Sequence, residues 1–415
     1  MPKNPFSASL HLAIAIGLAS APAASLAQDS LPEPLLQGEQ SNVPIAIQRL
    51  RWAMNDADVN ALTFRSMDTL FTTRTVPRSG DVWQLQRRDH PLDFTYRYDG
   101  GTYTPEQFLD RTYTNALIVM KGDTIVYENY RNNSGPDTRF MGWSMTKSLT
   151  SLLVGMALEE GRIASLDDTI ETYLPELAGG GYEGVTIRQI LQMRSGVDYE
   201  ERYDFANPGI AASNHINALV KNVSRFVEPA MNIRRAHEPG EVFAYKTIDT
   251  AVLGLLLERV SGGSTVASYM SERLWQPLGA ERDGFFIMDG PVGTGREFTG
   301  AGYSATARDF ARVGQMMLNG GLANGRQIVP SDWIELSTQP VAAATPDQHD
   351  YAMQWWTLGN GAYSAIGLQG QYIYVDPRRD TVVVKLSYYP PGNMTAQEET
   401  LAFFDAVSAW NPEQD

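Results

Sequence analysis

The chain contains no cysteine among its 415 residues. That excludes disulfides, a lipid-modified cysteine and a thiol nucleophile. Lysine is scarce too, with six against 27 arginines, and the formal net charge is −15. Scattered base on an acidic chain argues against nucleic acid or an anionic membrane as partner, because both require clustered cation. Histidine is rarer still, with five. Past the N-terminal segment only His90, His215, His237 and His349 remain, none in a telling context. No serine has the G-x-S-x-G surround of a nucleophile elbow, and no H-E-x-x-H spacing offers metal ligands. No internal repeat or low-complexity tract is present. Chemistry must therefore come from Ser, Lys, Tyr, His and carboxylates, with no cofactor or metal implied.

What is present is a chain long enough for more than one unit, with 43% apolar residues to build a real core. At the start, Lys3 precedes an apolar run from Leu10 to Leu18, and small residues end in Ser25-Leu26-Ala27. This pattern predicts a secretory signal cleaved near Ala27, hence a protein exported to the periplasm or the medium. An uncleaved membrane anchor is the alternative, but the run is too short to span a bilayer and Pro22 interrupts the stretch after it. Residues 28–43 are polar and contain proline, which predicts a flexible lead-in.

Residues 116–120 and 124–128 flank Lys121-Gly122-Asp123 and read as a β-hairpin. A helix from Ser144 to Gly161 follows after a short polar loop. Ser165 and Asp168 predict a capping box for a short helix stopping before Pro175, and Thr186 and Gln189 predict another for a helix ending at Gly196. A further apolar helix spans about 248–260. The alternating and β-branched stretch around Asp376-Pro377 predicts a second hairpin, and a helix over about 395–410 closes the chain. Strands at both ends around a helical middle predict an α+β fold: one sheet built from 44–144 and 291–415, with a mainly helical unit over 145–290.

The helix opening at Ser144 raises the chemical question. Lys147 follows one turn later on the same face, while Leu149, Leu152, Leu153, Val154 and Met156 make the segment apolar on nearly every side. A serine hydroxyl is a poor nucleophile until a base takes its proton, and a desolvated lysine can be that base. The same residues also fit a plain helix cap with a solvated lysine. The two readings differ in whether Lys147 is buried.

Further motifs accompany Ser144-Met145-Thr146-Lys147. They are "PGEVFAYKTIDTAVLGLLLERVSG", "TIRQILQMRSGVDY" and "AGYSATARDFARVGQMMLNGG". With these the chain, from about Ala116 onward, resembles serine hydrolases related to class C β-lactamases, penicillin-binding esterases and nylon-oligomer (6-aminohexanoate-dimer) hydrolases. The resemblance implies the β-lactamase/transpeptidase-like fold, Tyr245 as a partner of Ser144 and Lys147, and an oxyanion hole from the backbone N–H groups of Ser144 and Leu368. The chain departs from the β-lactamase pattern at the third motif. In "AIGLQGQYIYVDP", Ala365, Ile366 and Gly367 occupy the positions of Lys/His-Thr-Gly, and Thr247 stands where the family usually has Asn. Both changes bring it closer to the nylon-oligomer hydrolase and esterase branch. The resemblance thus implies a serine amidase or esterase acting on a small amide or ester. The alternatives are a β-lactamase or D-alanyl-D-alanine carboxypeptidase, and a non-catalytic binding module. Tyr199 and Tyr203 are candidates for a lip over the pocket, or else belong to an exposed acidic loop. Trp355 and Trp356 either wall the cleft or are core, and Gly367 and Gln369 are further substrate-side candidates. The sequence leaves the oligomeric state open.

Overall fold

The computed structural model describes residues 41–205, 207–341 and 351–412. The predicted signal, most of the lead-in and His349 lie outside them. A seven-stranded sheet organises the molecule, in spatial order Trp356–Thr357, Tyr363–Gly367, Gln371–Asp376, Thr381–Ser387, Thr114–Lys121, Thr124–Tyr130 and Gln86–Arg87. All neighbours pair antiparallel except the last two, which run parallel. Both predicted hairpins are present, and the second brings the chain's C-terminal part beside its N-terminal part through the pairing of Thr381–Ser387 with Thr114–Lys121.

The central strands are buried on both faces, so their side chains divide by the two-residue period of a strand. Ile118, Met120, Ile373, Val375, Val382 and Val384 enter one core, whereas Leu117, Val119, Tyr372, Tyr374 and Val383 enter the other. The Met394–Ala409 helix covers the second face with Phe403, Phe404 and Val407. The Ala307–Leu318 helix covers the first. There Gly314 lets it approach closely: a Cβ would lie 2.5 Å from Val382 Cγ1.

Deeper in the first core lies the Met145–Glu159 helix, with every residue from Met145 to Ala157 buried. Its hydroxyls are matched to carbonyls: Ser148 Oγ donates to Gln354 O at 2.6 Å and Ser151 Oγ to Met353 O at 2.8 Å. Gly161, at φ +67°, ends the helix in the left-handed conformation. The predicted helix after Ser165 is instead two 3-10 turns, Ile170–Thr172 and Pro175–Leu177. Ser165 and Asp168 hydrogen-bond within their own turn, with Ser165 N donating to Asp168 Oδ2 and Asp167 N to Ser165 Oγ. The Thr186–Gln189 capping box is present, on a helix that stops at Leu191 rather than Gly196. The apolar helix spans Thr247–Val260.

A second sheet, ordered Thr73–Val76, Gly284–Ile287, Tyr303–Thr306 and Arg139–Met141, was not foreseen. Its last strand runs straight into Gly142-Trp143-Ser144, so Ser144 follows a strand rather than a plain polar loop. Three residues are too few for alternation to announce a strand.

Candidate active site

Ser144 stands at the point where the Arg139–Met141 strand becomes a helix. Gly142 N donates to Tyr303 O at 2.8 Å, which ties the turn to the neighbouring strand. Trp143 is held at φ +47°, an uncommon conformation for a large residue, with its ring edge-on to Phe64 at 5.3 Å. Ser144 itself has φ −65° and ψ −8°, and its hydroxyl does not cap the helix. Lys147 is 1% exposed. The capped-helix reading with a solvated lysine therefore fails on both counts.

The Lys147 amine has three polar neighbours: Ser144 Oγ at 3.1 Å, Thr247 Oγ1 at 3.1 Å and the Gly300 carbonyl at 2.8 Å. It also faces the Tyr245 ring, 4.8 Å from the centroid. Burial pushes its pKa down to about 8, against an opposing pull from the Glu201 charge. A substantial fraction is then a neutral amine near pH 8, able to take a proton from Ser144. Tyr245 hydrogen-bonds Ser144, yet burial drives its pKa well above the ordinary phenol value, so it is a neutral phenol. Ser144 is only partly buried, which leaves it within reach of a ligand.

The Tyr363–Gly367 strand passes alongside. A Cβ on Gly367 would lie 2.2 Å from Gly142 O and 3.2 Å from Trp143 Cβ, so only glycine allows this approach. Leu368 follows directly, partly buried against the first core. Ala365 is fully buried and puts a methyl where the resemblance places a cation. Ile366, Trp356 and Tyr351 form an apolar cluster against which Phe243 and Tyr245 pack, with Trp356 stacked on Tyr245 at 5.6 Å.

The remaining candidates separate. Trp356 touches the site through Tyr245, but Trp355 is fully buried and edge-on to Tyr363, a core residue rather than a cleft wall. Tyr199 is also buried, its hydroxyl accepting from Asn214 Nδ2 at 3.4 Å. Tyr203 packs against Phe205 and His215, and its hydroxyl donates to Glu201 Oε1 at 2.7 Å. Gln369 shapes a turn at φ +56°, where its side chain donates to Asn55 O at 2.8 Å and accepts from Asn60 Nδ2. His215 is buried and its pKa is pushed down to about 4 by that burial, so it is a neutral packing residue.

Two participants were missed. Glu201 accepts from Thr247 N at 2.8 Å and from the Thr247 hydroxyl. It lies in "DYEERYD", where nothing singles it out among neighbouring acids. The Gly300 carbonyl carries no sequence signal at all.

Known proteins resemble this chain over most of its length. The beta-lactamase family model matches residues 106–407. A 6-aminohexanoate-dimer hydrolase of Paenarthrobacter ureafaciens is 37% identical over 329 residues, covering 74% of this chain and 82% of that protein. A solved Bacillus anthracis structure bearing the 6-aminohexanoate-dimer hydrolase name superposes with a TM-score of 0.74 at 26% identity, over 87% of this chain and 94% of that one. The fold also matches EstCE1, a hydrolase with promiscuous acyltransferase activity, with a TM-score of 0.58 at 19% identity, over 73% and 96% of the two chains.

Proposed function

The chain belongs to the beta-lactamase family and is a hydrolase, and from that premise we propose that it cleaves amide or ester bonds of small linear substrates through a Ser144 acyl-enzyme. The observation that carries the proposal is the buried Lys147 amine, 3.1 Å from Ser144 Oγ with its pKa lowered to about 8.

In the first step the Ser144 proton passes to Lys147 Nζ while the oxygen's electron pair attacks the substrate carbonyl carbon. The proton then returns through the Tyr245 phenol to the leaving nitrogen or oxygen as that bond breaks. Water attacks the acyl-enzyme in the second step, giving its proton to the same pair, and Ser144 is released. The oxyanion would be held by the N–H groups of Ser144 and Leu368. The close passage of Gly367 over Gly142 supports that pairing.

The preference for linear substrates rests on two supports. One is the 37% identity to a protein named 6-aminohexanoate-dimer hydrolase. The other is Ala365, which offers a β-lactam carboxylate no cation. Export belongs to the same proposal, supported by Lys3, the apolar run Leu10–Leu18 and the small residues before Gln28.

The test compares the purified chain with its Ser144→Ala variant on a p-nitrophenyl ester, a linear aminohexanoate dimer and a chromogenic cephalosporin. Ester or linear-amide turnover that disappears in the variant is expected. More than a trace of activity in Ser144→Ala would refute the serine mechanism, and fast cephalosporin hydrolysis would refute the weight given to Ala365.

A further inference from the structure

A neutral lysine amine has two N–H groups and one lone pair, and Lys147 has three polar neighbours to share among them. The Gly300 carbonyl can only accept, so one N–H goes there at 2.8 Å. The other two neighbours are hydroxyls, each of which can donate or accept. If Thr247 donated to the amine, the lone pair would be spent on Thr247 and Ser144 would keep its proton.

The Glu201 carboxylate removes that ambiguity. Its oxygens accept from Thr247 N at 2.8 Å, from Tyr203 OH at 2.7 Å and from Thr247 Oγ1. The single Thr247 hydrogen is therefore directed to Glu201, and Thr247 Oγ1 can only accept from Lys147 at 3.1 Å. Both amine hydrogens are then committed, and the lone pair has one place left to point, at Ser144 Oγ. The loop bearing Glu201 is itself fixed by aromatic contacts, with Phe205 4.9 Å from Trp52 and 5.6 Å from His215.

We propose that Glu201 is a positioning residue which, by holding the Thr247 hydroxyl proton, aims the Lys147 lone pair at Ser144. The proposal rests on the serine–lysine reading of the proposed function. It acts through Thr247, and Glu201 need not touch substrate.

A carboxamide at 201 has one accepting oxygen for three donors, and its NH2 turns towards one of them, so the Thr247 hydroxyl is freed to compete for the amine. Of the titratable groups around Lys147, Tyr245 is a neutral phenol and Asp249, on the Thr247 helix, is engaged by Tyr182 OH at 2.6 Å. Glu201 is the charge that raises the Lys147 pKa. Glu201→Gln is therefore expected to have two effects of opposite sense. The maximal kcat falls about 10–100-fold through misdirection of the base, while the acidic limb of the rate profile moves below about 8.

The experiment measures kcat and KM against pH for the wild type, Glu201→Gln, Thr247→Val, the double variant and Ser144→Ala on one p-nitrophenyl ester, with thermal melts confirming folding. Because valine has no hydroxyl to direct, the double variant should be no slower than Thr247→Val. An equal Glu201→Gln penalty in both backgrounds, or an unmoved acidic limb, would mean that Glu201 is merely structural. If Glu201→Gln does not fold, Thr247→Val alone decides, and wild-type kcat there overturns the proposal. A dead Ser144→Ala with a fully active Glu201→Gln defeats this inference alone, whereas an active Ser144→Ala defeats the serine reading beneath it.

Discussion

Replacing Gly367 with alanine tests the geometry of the site with a single methyl. Gly367 does not lie at positive φ, so alanine can adopt its backbone conformation and the cost is purely steric. The new Cβ would meet Gly142 O at 2.2 Å, Gln371 Cβ at 3.0 Å and Trp143 Cβ at 3.2 Å. Ordinary contact needs about 3.4 Å, so the strand and the Gly142–Ser144 turn must separate by about 1 Å. Neither side yields easily. Tyr363–Gly367 is paired along its length with Gln371–Asp376, and Gly142 is bonded to Tyr303. A displacement of that size between Leu368 N–H and Ser144 Oγ should lower kcat about 100-fold, with KM much less affected, because an oxyanion hole holds charge that develops only in the transition state. Overpacking should also cost about 1–3 kcal/mol of stability. Steady-state kinetics on a p-nitrophenyl ester alongside a urea melt would separate the two effects. A Gly367→Ala enzyme with wild-type kcat would show that this close approach does not shape the oxyanion site.

The Lys147 amine gives a pH prediction: because burial lowers its pKa to about 8 and only the neutral form can take the Ser144 proton, kcat/KM should rise with pH up to about 8 and then level off. A limb in the carboxylate range would point to a different base. Lys147→Arg, always protonated, should be inactive without recovery at high pH. Gly155→Ala, on the far part of the Met145–Glu159 helix, is the contrasting core change, since its Cβ would fall 2.3 Å from Trp333 Cδ2 of the Ser331–Thr338 helix. It should lower the unfolding free energy by about 1–3 kcal/mol while leaving KM and the pH limb in place, and an unchanged urea midpoint would refute the packing argument.

Elements with strong local signals were legible from the sequence. Both hairpins of the large sheet, the Gly161 helix end and the Thr186–Gln189 box depend on turn and cap chemistry within a few residues. The Ser-x-x-Lys pair was legible because one helical turn fixes its geometry. Elements decided by distant partners were not. Arg139–Met141 is a strand because Tyr303–Thr306 lies beside it, and Gln86–Arg87 because Thr124–Ile125 does. Glu201 is 46 residues from Thr247, and the contact that gives it meaning is set by the path of a loop anchored on Trp52 and His215. Trp355 and Trp356 look identical in sequence, yet alternation along the chain sends one into the core and the other against Tyr245.

Burial of a lysine among hydroxyls does not by itself make a site, and the chain contains the comparison that shows why. Lys385 is fully buried and its pKa is driven well below the ordinary value by desolvation. Its amine reaches Ser387 Oγ, Tyr389 OH at 3.2 Å and Thr112 O at 3.0 Å, a set that closely resembles that of Lys147. The difference lies in the serine and its setting. Ser387 is 1% exposed, at the end of the Thr381–Ser387 strand, so no carbonyl can reach it. Ser144 is partly exposed and stands at the start of a long helix, where the backbone favours developing negative charge. The strained Trp143 and the glycine at 367 bring a second strand against it. A depressed lysine pKa is thus common to both clusters, and what sets the Ser144 cluster apart is access to its serine together with that serine's place at a helix start.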